Sequence, residues 1–95
     1  MKLEFEWNIE KSRINEKKHG ITFEEAISVF DDETAAFLHD SEHSFNEDRY
    51  LLIGYSKYNN LLFVSFTERD DRIRIISSRK ATKNERKGYE ENFKK

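Results

Sequence analysis

The chain has no cysteine, no proline and only three glycines. Without cysteine there is no disulfide, no thiolate nucleophile and no thiolate metal ligand. Long apolar runs are missing too. No stretch approaches the roughly 18 residues of a membrane span, and the opening "MKLEFEWNIEKS" has no apolar signal region. These absences lead us to expect a soluble cytoplasmic protein with no membrane partner. Apolar residues are only 36% of the 95. The expected core is therefore modest, a domain of this size burying roughly 60–70% of its unfolded surface. We expect one domain over residues 1–95.

Charge and aromatic rings fill the space that aliphatic residues leave. Charged residues make up 38% of the chain, against about 25% in an average domain. Thirteen aromatic residues supply core mass and argue against disorder. The net charge of −2 conceals an asymmetry. Residues 1–68 hold 7 Lys+Arg and 14 Asp+Glu, whereas residues 69–95 hold 10 and 5. Between Lys18 and Arg49 there are nine acidic residues and no basic one. Such a split suggests one surface that receives an anion and another that repels it or meets a basic partner. The alternative is that charges from the two segments lie side by side and cancel.

Pattern gives the order β-α-α-β-β-β-β-α. "LEFEW" alternates apolar and acidic residues, as a half-buried strand does. Asn8 is a fitting N-cap for a helix from Ile9 to about His19, stopped by Gly20. Lys17, Lys18 and His19 occupy its last turn, where the helix dipole favours cations. Thr22 and Glu25 have capping-box spacing ahead of Phe23, Ala26, Ile27 and Phe30, which share one helical face. "TAAFLHD" is a weak strand signal. "RYLLIGYS" and "LLFVSFTER" read as central strands joined at "YNN", and "DD" turns the chain into "RIRIISSR". Thr82 and Glu85 again have capping-box spacing, for a last helix running through Tyr89 and Phe93. The fold class is α+β: a mostly antiparallel sheet with helices packed on one face and the other face partly open.

Five basic residues gather in "TERDDRIRIISSRKAT", Thr67 to Thr82. On a strand, Ile73 and Ile75 point toward the helices, and Arg72 and Arg74 toward the open face. Strict alternation then buries Arg79 with the isoleucines, which is costly for an unpaired charge. A bulge or a strand end near Ser77–Ser78 is needed to re-aim it. Glu68 and Arg69 lie just before the turn. Guanidinium groups and a carboxylate at one end of a sheet suit a phosphodiester. They suit an exposed ion-pair ladder of little energetic value equally well.

These blocks resemble the BrnT family of toxins from type II toxin–antitoxin systems. The similarity runs through "FEWN", "KKHGITFEEA", "FDDE", "DRYLLIGYS" and "TERDDRIRIISSRKATKNERKGYEE", and so covers nearly the whole chain. It implies a RelE-like fold and a ribonuclease toxin that inhibits translation. It also implies a BrnA-type antitoxin that neutralises the toxin, with operator DNA bound only through the toxin–antitoxin complex. RelE-like ribonucleases position RNA so that its 2′-OH attacks the adjacent phosphate, using basic and tyrosine side chains in place of a histidine pair. No metal and no cofactor are expected. Two departures stand out: the loop "SEHSFNEDRY" is acidic, and so is the chain as a whole.

On the matching motifs, and from what transphosphorylation needs, we expect Glu68 as base or arginine-orienter, and Arg69 and Arg79 as phosphate clamps. Lys80 and Arg74 would be supporting cations. Tyr89 would stack on a base or donate a hydrogen bond; equally, it packs on the sheet. Arg49, Arg72, Lys57 and His19 complete the expected RNA contacts, although Lys57 also reads as a solvated turn and His19 as a capping residue. His39 and His43 sit in "HDSEHS", where a metal reading rests on one short loop without further ligands. A non-enzymatic module that binds nucleic acid or protein through the same basic patch is the alternative.

Overall fold

The computed structural model describes residues 3–92. Phe93, assigned above to the last helix, lies outside them. Five strands and three α-helices follow in the expected order: β1 Phe5–Glu6, α1 Ile9–His19, α2 Phe23–Ile27, β2 Ala36–His39, β3 Arg49–Tyr55, β4 Leu61–Arg69, β5 Arg72–Lys80 and α3 Lys83–Asn92. A 3₁₀ turn at Ser28–Asp31 continues α2, and a second spans Ser41–His43.

Local chemistry sets the helix ends. The Lys11 N–H donates to Asn8 Oδ1 at 3.1 Å, and Gly20 leaves α1 with φ 72°. Gly20 suits that left-handed position because it has no Cβ to clash. The capping box of α3 is complete: Glu85 N–H donates to Thr82 Oγ1, and Thr82 N–H returns to Glu85 Oε1. That of α2 is half made. Thr22 accepts from Glu25 N–H at 3.0 Å, but the Glu25 carboxylate turns inward. There it accepts from Ser56 Oγ at 2.7 Å and Asn60 Nδ2 at 2.8 Å, tying α2 to the β3–β4 hairpin.

The sheet order is β1-β5-β4-β3-β2. All neighbours are antiparallel except β1, which pairs in parallel with β5 through Phe5↔Ile73 and Glu6↔Arg74. The hairpin turns use left-handed Asn59, Asp70 and Asp71, residue types that tolerate positive φ.

The helices are distributed differently from the expected single layer. Ile21, Phe23, Ala26 and Val29 close one face over Leu52, Leu62, Val64, Phe66 and Ile75. Phe5, Phe30 and Phe66 chain together there at ring separations of 5.0 and 5.1 Å. α1 instead flanks the edge of β5, with Ile9 and Ile14 exposed and Asn15 buried. α3 lies on the opposite face, where Tyr89 packs with Ile53 and Leu61. The reason is in the strands: β3 and β4 are apolar on both sides, so each side needs a cover. α3 covers the Ile53–Leu61 end of the second face. At the other end Thr67 is buried, its hydroxyl donating to Asp48 O at 2.6 Å, and a cleft opens between the two.

A bulge decides where the basic side chains of β5 point. The register steps from Ser65↔Ser77 to Phe66↔Ile75, leaving Ile76 unpaired. This is one residue before the place expected from the Arg79 problem. Beyond it, Ser77 and Arg79 join Arg72 and Arg74 on the open face, while Ser78 turns into the core. Asn15 fixes the segment from the side, donating to Ser78 O at 2.8 Å and accepting from Ser78 N–H at 3.1 Å. β1 has ended by then, so Asn15 takes the place of a neighbouring strand.

Candidate active site

The open face is a grid that can be read from the register. One row runs Glu6, Arg74, Thr67, Arg49 across β1, β5, β4 and β3. The next runs Ser77, Ser65, Leu51, and the next Arg79, Phe63, Ile53. A cleft of about 360 Å³ opens over the second and third rows. Its polar wall is made of His19, Asp40, His43, Arg49, Ser77 and Arg79.

Arg79 is held on two sides. Its guanidinium stands 4.5 Å over the Phe63 ring, and Glu85 grips it through two hydrogen bonds of 2.8 and 2.9 Å. The Arg79 hydrogen bond, helped by the Thr82 N–H, pulls the Glu85 carboxyl down from 4.5 to about 2. The Glu85 hydrogen bond in turn raises the Arg79 pKa further above its ordinary value. Both groups are therefore ionised at any physiological pH. The arginine presents a fixed edge to the cleft.

The other arginines are paired differently. Arg74 bonds Glu6 at 2.8 Å, Arg72 lies 3.5 Å from Glu4, and Arg69 lies 3.2 Å from Glu47. Acidic groups of the N-terminal segment thus cancel much of this row, as the side-by-side alternative had it. Among the described residues Arg49 has no carboxylate partner, and its guanidinium shares the cleft with Arg79.

The loop before β3 supplies the remaining wall. Asp40 and Arg49 bracket it, with Asp40 N–H donating to Arg49 O at 2.8 Å. Ser44 Oγ donates to Asp40 O at 2.6 Å and accepts from Arg49 N–H at 2.9 Å. The Ser41–His43 turn brings residues three apart onto one side, and His43 Nδ1 meets Asp40 Oδ2 at 2.9 Å. His19 reaches the same cleft from the end of α1.

The structure thus gathers Arg79, Arg49 and His19, with Arg69, Arg72 and Arg74 flanking them on the same face. It separates the rest of the expected set. Glu68 pairs with Ile73, and Lys80 with Leu62. Alternation places both on the side opposite Arg69 and Arg79, so neither the proton acceptor nor the second cation expected there is in place. Tyr89 is 3% exposed, and its hydroxyl donates to Thr34 O at 2.7 Å. Its packing alternative is the arrangement found. Lys57 sits at the β3–β4 hairpin, beyond the far end of the strands from Arg49 and Arg69, 5.2 Å over the Tyr58 ring. Asp40 and His43 are additions. Their spacing of three in "DSEH" was the available signal, but it becomes a contact only once the chain turns there. Among the described residues, no three His, Cys, Asp or Glu side chains cluster in a way that suits a metal ion.

Residues 7–85 match the family model described as "Ribonuclease toxin, BrnT, of type II toxin-antitoxin system". The fold is similar to that of the Brucella abortus ribonuclease toxin BrnT, whose crystal structure was determined at 1.1 Å. The TM-score is 0.67 at 20% identity, covering 86% of this chain and 100% of that one. At such identity the likeness speaks for the fold alone. No curated protein matches the sequence significantly. Among the described residues, no helix is long and apolar enough to cross a membrane.

Proposed function

The chain belongs to the BrnT family of ribonuclease toxins of type II toxin–antitoxin systems, and from that premise we propose that it is an endoribonuclease whose RNA backbone lies in the open-face cleft. The observation that carries this is the β-bulge at Ile76. Bulges re-aim side chains next to active sites, and this one turns Arg79 out of the core and into the cleft beside Arg49.

In the proposed reaction the ribose 2′-OH attacks the adjacent phosphorus without a metal ion. A 2′,3′-cyclic phosphate forms and the 5′-oxygen leaves. Arg79 and Arg49 hold the non-bridging oxygens, where charge builds up in the transition state. A planar guanidinium suits two such oxygens at once. Arg79 stays fixed by Glu85 and Phe63, so little reorganisation is needed when that charge appears. Arg69, Arg72 and Arg74 offer contacts to flanking phosphates, each shared with a carboxylate as Arg79 is with Glu85. Glu68, Lys80 and Tyr89 have no part in this centre. Cleavage of cellular RNA would inhibit translation. A BrnA-type antitoxin would neutralise the toxin, and operator DNA would be bound only through that complex.

Induction of the chain alone tests the proposal. Wild type should arrest growth, and Arg79→Ala should relieve the arrest while remaining folded. Glu68→Ala should stay as toxic as wild type. Incubation of purified protein with RNA, followed by mapping of the new ends, separates cleavage from mere binding. Salt-sensitive binding without new ends would favour the non-enzymatic module.

A further inference from the structure

We propose that His43, held by Asp40, is the general base of the cleft, and that His19 is the general acid that protonates the leaving group. The inference rests on the reading of the chain as a ribonuclease and adds the proton-transfer groups that the arginines do not supply.

Transphosphorylation needs one group that takes the 2′-OH proton and one that gives a proton to the 5′-oxygen. Arginine does neither, because its guanidinium is not deprotonated in proteins. The expected acceptor, Glu68, faces the other side of the sheet, so a histidine pair here would depart from the basic and tyrosine set that the resemblance implied. The cleft does hold two imidazoles, one from each side: His19 from α1 and His43 from the turn before β3.

The two rings differ in their surroundings, and the difference assigns their roles. His43 Nδ1 lies 2.9 Å from Asp40 Oδ2. An ionised carboxylate only accepts, so the proton between them belongs to Nδ1. Nε2 is then left with its lone pair, the tautomer a base requires, and the carboxylate stabilises the imidazolium that forms. Asp40 is itself fixed, its backbone bonded to Arg49 and Ser44. His19 has no such carboxylate. It ends α1 and lines the same cleft, and so is the second ring available to give a proton to the leaving oxygen.

The step balances. His43 Nε2 takes the 2′-OH proton as O2′ bonds to phosphorus. The phosphorus–O5′ bond breaks, and O5′ takes the proton of His19. Products are a 2′,3′-cyclic phosphate and a 5′-hydroxyl, and solvent exchange restores both rings. His43 contacts Asp40, and the titratable or charged groups that line the same cavities are Glu47 and Arg49 from the loop and β3, Arg79 from β5, and His19 from α1. Asp40 is thus a positioning residue, acting through His43.

The test is single-turnover cleavage of an RNA oligonucleotide across pH, with binding measured in parallel. His43→Gln and His19→Gln should each lose about 100-fold or more in rate. RNA affinity should change less than about threefold, and each variant should melt within a few degrees of wild type. Asp40→Asn should displace the ascending limb of the pH–rate profile, which a packing role would not do. An RNA whose scissile 5′-oxygen is replaced by sulfur needs no acid to leave. It should restore His19→Gln to near the wild-type rate on that substrate and leave His43→Gln slow. Rescue of His43→Gln by the sulfur substrate, or a wild-type rate for folded His43→Gln on ordinary RNA, overturns the assignment. If wild type cleaves no RNA, the ribonuclease reading fails and this proposal with it. If wild type cleaves and His43→Gln cleaves equally well, only the proposal fails.

Discussion

Arg79 shows how one side chain can be stabilised and kept useful at once. A charge directed into the core would be costly, and its place on the open face makes a partner optional. It has one nonetheless: Glu85 grips it through two hydrogen bonds. The folded chain holds Glu85 at about 2, below its ordinary 4.5. A carboxyl with a lowered folded pKa binds its proton more readily when the chain is unfolded. Its stabilising contribution is therefore complete above about pH 4.5 and fades as pH falls toward 2. We predict that Glu85→Gln is less stable than wild type at pH 7 and that the gap closes across that window. Urea midpoints at a series of pH values measure it; a gap that persisted unchanged at pH 2 would contradict the prediction. The sequence made the Arg79 conflict visible, because alternation placed an arginine among isoleucines. It could not place the bulge, since nothing in "RIIS" distinguishes the residue left unpaired.

At the scale of elements, strands and caps were legible and partnerships were not. The α1 boundaries, the Gly20 stop and the left-handed turn residues follow from local propensity, which acts over a few positions. The parallel pairing of β1 with β5, and the packing of α3 on the second face, depend on residues far apart in the chain. For the same reason Glu68 and Lys80 looked like neighbours of Arg69 and Arg79 in sequence and lie across the sheet from them in space. Asn15 is the sharpest such case, 63 positions from the Ser78 backbone it satisfies. It also donates to Ile21 O at 3.0 Å, so one amide serves three backbone groups. Leaving buried backbone groups unpaired costs about 1–3 kcal/mol each. We predict that Asn15→Leu lowers unfolding free energy by about 3 kcal/mol, read from urea denaturation. A loss below about 1 kcal/mol would mean that water replaces the amide.

The whole molecule is acidic and yet is proposed to hold a polyanion. The ion pairs reconcile the two: Glu4, Glu6 and Glu47 mute the flanking arginines and Glu85 pairs with Arg79, leaving Arg49 as the cleft arginine without a carboxylate partner among the described residues. Each phosphate neutralised on a single strand contributes a slope of about −0.7 in log affinity against log salt. Two or three contacts then predict a slope of about −2, obtained from RNA-binding titrations at several salt concentrations. A slope of about −3.5 would require all five arginines of the face to engage. The parallel β1–β5 pair, with Asn15 reaching Ser78 beside it, carries a further consequence for synthesis. Chains emerge N-terminus first, so α1 leaves the ribosome long before the strand it docks against has been made. His19 stays unplaced until β5 arrives, and Arg79 until α3 follows, so the cleft is assembled late in synthesis. A partly synthesised chain therefore lacks the assembled cleft.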